Sequence, residues 1–104
     1  MISIHFFKDG NFMTGFECKG HSMRAQHGQD VLCAFVSSAC YMTANTVTEV
    51  MQLDADAAAS DGYMRLAIKA SPQKAQDILN GMCLHMTALE KDYPENIQVT
   101  ITEV

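Results

Sequence analysis

Apolar and polar residues trade places at every second position early in the chain, where Ile2, Ile4 and Phe6 alternate with Ser3, His5 and Phe7. A two-residue period sends successive side chains to opposite faces of a strand. The turn signal Lys8-Asp9-Gly10-Asn11 follows, and Phe12, Thr14, Phe16 and Cys18 then alternate in their turn. The chain therefore opens with a β-hairpin.

The period changes from about residue 30 to residue 51. Phe35, Ala39, Met42 and Thr46 lie along one helical face, with Val36, Cys40, Val47 and Val50 beside it,. The segment LDADAAAS at residues 53–60 is ambiguous, because alanine favours helices and aspartate does not. Asp61-Gly62 follows it, and Met64, Leu66, Ile68 and Ala70 alternate beyond. We read LDADAAAS as the weak first arm of a second hairpin. Ser71-Pro72 predicts a helix start, with serine as cap and proline at the first helical position,. Ala75, Ile78, Leu79, Met82, Met86 and Leu89 continue the helical stripe, Tyr93-Pro94 closes it, and Ile97, Val99 and Ile101 form a last strand.

The order is strand, strand, helix, strand, strand, helix, strand. It predicts an α+β fold, a mainly antiparallel sheet of about five strands with two helices packed on it. Gly81 inside the second helix costs stability relative to alanine, which close packing of another element against it would explain. No repeat, linker or composition break divides the 104 residues, so we read 1–104 as a single domain,.

Composition narrows the function. A hydrophobic fraction of 48% suits a globular protein,. The apolar runs look short of the roughly 20 residues that cross a membrane, and MISIHFFKDG is no signal peptide,. A cytoplasmic protein without membrane contact is the expectation. The net charge of −5, with Lys and Arg scattered, disfavours direct nucleic-acid binding,. A basic protein or peptide is easier to accommodate. The four cysteines, Cys18, Cys33, Cys40 and Cys83, include no CxxC pair. A reducing compartment would leave them as free thiols, three of them serving as small core residues.

Cys33 is set apart by its neighbours in GHSMRAQHGQDVLCAFVSS, residues 20–38. Gly20 and His21 end the second strand. Asp30 is a natural N-cap, which would make Cys33 a first-turn residue close to unpaired N–H groups and the positive end of the helix dipole. Both favour the thiolate, although the charge of Asp30 opposes it. A neighbouring histidine would activate the thiol further. His21 leaves directly from a strand, whereas His27 sits in the intervening loop, so His21 is the favoured base. Spacing alone leaves two other readings open. One is a turn, a cap and a core cysteine with no chemistry, and the other is a metal site from His21, His27, Asp30 and Cys33.

At these residues the chain resembles the ribosomal-processing cysteine proteases of Firmicutes and related bacteria. The resemblance rests on Gly20-His21 followed by a small residue, on GQDVLCAFVS from Gly28 to Ser37, on the Asp61-Gly62 hairpin and on YPENIQV at residues 93–99. The family commonly has alanine after the histidine, where this chain has Ser22. The resemblance implies His21 and Cys33 as a catalytic dyad that removes an N-terminal extension from a large-subunit ribosomal protein. Gly20, Ser22, Gly28, Asp30 and Ser37 would support or bind substrate. The loop between His21 and Cys33 would close over the peptide. It also implies a homodimer, no metal and no organic cofactor. The family substrate is apolar before the cut, which implies an apolar groove with Phe35, Met23 and Met42 as candidate lining. The alternative from another class is a non-catalytic module that docks a ribosomal or other basic protein.

Overall fold

The computed structural model describes residues 1–20 and 29–104, residues 29 and 30 by their backbone alone. Strands β1 (Ile2–Asp9) and β2 (Phe12–Lys19) form the first hairpin. Asp9 opposes Phe12 across the two-residue turn Gly10-Asn11, in which Gly10 has φ 62°. The second hairpin joins β3 (Ala55–Ser60) to β4 (Tyr63–Ile68) through Asp61-Gly62, as the alternation predicts. With β5 (Ile97–Glu103), the strands form one five-stranded sheet in the order β3-β4-β2-β1-β5.

The sheet is mixed rather than purely antiparallel, because β5 pairs with β1 in parallel, Ile2 opposite Ile97. Helix α2 (Gln76–Asp92) causes this. It crosses from the β4 side of the sheet, packs over β2 and β5, and delivers the chain alongside β1. A parallel neighbour needs such a crossover, since a tight turn cannot supply one.

One face of the sheet makes the core. Ile4, Phe6, Phe16, Cys18, Met64 and Leu66 meet Leu32, Cys33, Val36, Cys40 and Val47 on one side of the helical layer and Leu79, Met82 and Met86 on the other. The Phe6 and Phe16 rings stand 6.3 Å apart and tilted, and burial of one such ring stabilises by about 1.5–3 kcal/mol. The opposite face is polar. There the Tyr63 hydroxyl donates to Glu17 at 2.8 Å, Lys19 pairs with Glu17 at 3.3 Å, and His5 Nδ1 bonds Thr100 Oγ1.

The Tyr63 hydroxyl first, then Lys19, hold the Glu17 carboxyl below its usual range despite partial burial. A folded-state pKa below the unfolded one adds stability at pH values above the unfolded pKa, and that stability is lost as pH falls through the folded pKa. Tyr63→Phe should move the Glu17 midpoint up toward the ordinary carboxylate value, which an NMR titration of the Glu17 side chain reads directly. An unmoved midpoint would show that the positive charges of Lys19 and Arg65 set it.

Helix α1 (Gln29–Asn45) runs on into a wider turn at Thr46–Val50, where the Met51 N–H reaches back to Thr46 O at 2.8 Å. The helix carries two apolar stripes. Leu32, Val36, Cys40 and Val47 are buried, while Val31, Phe35 and Met42 are exposed. Doubling the stripe makes Val31–Val50, 20 residues of mean hydropathy 1.3, long and apolar enough to cross a membrane. This corrects the expectation that no segment reaches that length, and one side of the segment packs on the sheet.

Within the buried stripe, Thr43 is fully buried and its Oγ1 has no hydrogen-bond partner among the described residues. An unpaired buried hydroxyl costs about 1–3 kcal/mol. Thr43→Val should therefore stabilise the fold by about 1 kcal/mol, read as a higher midpoint in urea at unchanged slope. A lower midpoint would mean that the hydroxyl is bonded in solution.

The second helix begins differently from its prediction. Pro72 does open a 3₁₀ turn, Pro72–Ala75, but Ser71 adopts a left-handed conformation, φ 59°, and its side chain caps nothing. Left-handed φ turns the serine out of the extended geometry that a capping hydroxyl needs. Gly81 also departs from expectation: a Cβ built there meets nothing within 4 Å, so no described element packs closely on it.

Candidate active site

Gly20 follows the end of strand β2, and two constraints make that glycine necessary. Its φ is 87°, and a Cβ would stand 2.4 Å from the Met1 carbonyl oxygen, a left-handed position with backbone against it. The Gly20 N–H donates to the Gly62 carbonyl at 3.0 Å. The strand end just before His21 is thus tied to the β3–β4 turn. His21, Ser22, His27 and Gly28 lie outside the described residues, as does Met23, so neither the expected base nor its competitor is placed.

The helix-start reading needs adjustment. Helix α1 begins at Gln29, which puts Asp30 inside the helix instead of at its cap, and makes Cys33 the fifth helical residue. The chain is already helical at Gln29, so Asp30 is not the cap. Cys33 consequently opens the second turn, where its own N–H is spent inside the helix and the dipole has weakened. Its side chain is 5% exposed and belongs to the core cluster. Ser37, one turn further along, is half-buried.

Of the three cysteines expected in the core, two are enclosed in it and the third packs only partly against it. Cys18 and Cys40 are fully buried, Cys83 is half-buried, and all are free. The hydrogen bond that the Cys40 thiol donates to Cys18, followed by burial, pushes that thiol far above the usual range, leaving it a protonated core residue,. Among the described residues no group of three His, Cys, Asp or Glu side chains is placed to hold a metal ion.

An apolar groove of about 540 Å³ lies between α1 and α2, lined by Phe35, Ala39 and Met42 on one side and Ile78, Gly81 and Met82 on the other. Phe35 and Met42 are thus both exposed groove residues. Cys33 does not line this groove; it points into the core. His85, which no motif singles out, stands exposed at the groove's edge, and no sequence signal marks it.

The described part of the site is thus Gly20, tied to the β3–β4 turn, and Cys33 near the start of α1. Comparison with known proteins gives the family. The family model for cysteine protease Prp matches residues 1–98. The ribosomal processing cysteine protease Prp of Bacillus subtilis (strain 168) is 33% identical over 95 residues, covering 85% of each chain. The fold is shared with the essential ribosomal processing protease Prp from S. aureus, solved in complex with a substrate peptide, at TM-score 0.87 and 21% identity over 98% of this chain and 100% of that one. A Streptococcus mutans protein of known structure matches at TM-score 0.87 and 23% identity over 100% of this chain and 99% of that one.

The chain is a cysteine protease. It belongs to the Prp family, whose work is the processing of ribosomal proteins.

Proposed function

We propose that the enzyme removes the N-terminal extension of a large-subunit ribosomal protein, the one whose mature N-terminus reaches the peptidyl-transferase centre, through a dyad of His21 and Cys33. The reading is carried by Cys33, the motif cysteine near the start of α1, together with the bond that fixes Gly20 beside the β3–β4 turn. The Cys33 thiolate attacks the scissile carbonyl carbon and forms a thioester as the C–N bond breaks. His21 gives its proton to the departing amine, then takes one from the water that releases the trimmed end. Unpaired N–H groups at the start of α1 would steady the oxyanion.

Supporting roles follow from position. Asp30, in the first helical turn, favours the helix dipole while opposing the thiolate. Ser37 shares a helical face with Cys33. Gly20 and Gly28 bracket the segment that approaches the peptide, with Ser22 beside the base. Because Cys33 is 5% exposed, its sulfur has to be uncovered before attack. The enzyme works in the cytoplasm as a homodimer, and the exposed stripe of α1 is the apolar surface available for pairing. Mass-spectrometric analysis of the precursor peptide tests the reading: a single defined cut, lost in Cys33→Ala and His21→Ala and kept in His27→Ala, supports it. No cut in peptide or full-length precursor would overturn it.

A further inference from the structure

The free edge of β3 is thinly guarded. β3 is the outermost strand on its side of the sheet, and Ala57, Ala58 and Ala59 are all exposed. Sheet edges are ordinarily protected by charge, above all lysine, by proline or by a bulge, and within β3 only Asp56 carries a charge. Its bonding can be worked out from the register. Lys69 N–H donates to Asp54 O at 2.7 Å, while Ala55 opposes Ile68, Ala57 opposes Leu66 and Ala59 opposes Met64. Opposed residues in an antiparallel pair alternate between bonded and non-bonded. Asp56, Ala58 and Ser60 therefore bond to β4, and the N–H and C=O groups of Ala57 and Ala59 point away from the sheet. Among the described residues no strand pairs with them.

A row of outward donors and acceptors is satisfied by an extended backbone. Two further observations choose which one. Asp54, Asp56 and Asp61 are exposed along and beside the strand, in a chain of net charge −5, and of these Asp56 is paired with Lys69 at 3.2 Å. An acidic edge favours a basic peptide and opposes a second copy, whose own aspartates would be brought against these. The edge is also continuous with the candidate site. The turn that closes β3 onto β4 holds Gly20 through the Gly62 carbonyl, and His21 is the next residue.

We propose that the β3 edge takes up a basic, extended segment of the substrate polypeptide as an added strand, feeding it toward the His21–Cys33 site. This rests on the protease reading above. Ala57 and Ala59 share a face with buried Met64 and Leu66 but stand uncovered, so the incoming strand meets small side chains that leave it room.

The test uses the whole enzyme and the synthetic precursor peptide. Single N-methyl groups are walked along the peptide backbone outside the cleaved bond, and Ala57→Pro is made in the enzyme. Proline there removes an outward N–H without taking a bond from the β3–β4 ladder. We expect a rise in KM of about tenfold in Ala57→Pro and at alternate N-methyl positions. kcat should be retained, as should the rate of Cys33 alkylation by iodoacetamide. An unchanged KM in both arms, with wild type cleaving, overturns the edge and leaves the protease reading standing. Failure of wild type to cleave unmodified peptide overturns the protease reading and takes the edge with it. If Ala57→Pro does not fold, the methylated peptides decide. If it folds, and sedimentation shows a dimer falling to monomer while methylation has no effect, the edge belongs to a second copy and the proposal is wrong.

Discussion

Cys33→Ala should lower cleavage of the precursor peptide by roughly 10³-fold or more while leaving the fold intact. The magnitude follows from removing the atom that forms the acyl bond, a loss that binding energy elsewhere cannot replace. His21→Ala should cost about as much, because residues acting as one unit are not additive, and the double variant should be little worse than either single one. Alkylation gives an independent check. Cys18 and Cys40 are fully buried, and their mutual contact keeps Cys40 protonated. If His21 activates Cys33, iodoacetamide near neutral pH labels it ahead of these two and ahead of the more accessible, half-buried Cys83,. Four thiols reacting equally slowly in the folded enzyme would remove the case for an activated Cys33.

Gly15→Ala should be the most damaging single-methyl change in the sheet. A Cβ at Gly15 would lie 2.0 Å from the Leu66 carbonyl oxygen and 3.0 Å from its carbon. Both are backbone atoms of the paired strand, so no side-chain rotation relieves the overlap, and β2 and β4 have to separate. Their separation pulls on Phe16 and Leu66, both fully buried, at the centre of the core. We expect a loss of about 3 kcal/mol and a fall in Tm of about 10 °C or more. A thermal melt within a degree or two of wild type would mean that the sheet has slack the structure does not show.

Gly15 also marks where sequence reading stops. Both hairpins were legible because Asp-Gly turns and two-residue alternation act locally. The helical period likewise located α1 and α2 without reference to the rest of the chain. The β3 arm was identified through its partner strand and its turn, its own alanines being indifferent. What could not be read depends on elements distant in sequence. The parallel placement of β5 is decided by where α2 crosses, and the need for glycine at position 15 comes from a carbonyl 51 residues away. Periodicity shows that α1 has more apolar residues than one buried stripe requires, but not which stripe the sheet takes. At the candidate site, Cys33, Ser37 and Gly20 were visible as motif positions, and Phe35 and Met42 as groove candidates. The bond from Gly20 to Gly62 was not, since it joins two turns that no local pattern links.

The pairing of Ile2 with Ile97 has a consequence for how the molecule comes into being on the ribosome. Ile2 must wait for Ile97, 95 positions further along the chain, so β1, which later lies inside the sheet, is an open edge until β5 emerges. Its apolar face, Ile2, Ile4 and Phe6, is among the most deeply buried in the finished protein. Joining contacts so distant in sequence delays folding, and the incomplete sheet exposes a strand prone to wrong partners. The newborn chain therefore has a vulnerable interval, which ends when β5 arrives and closes the sheet.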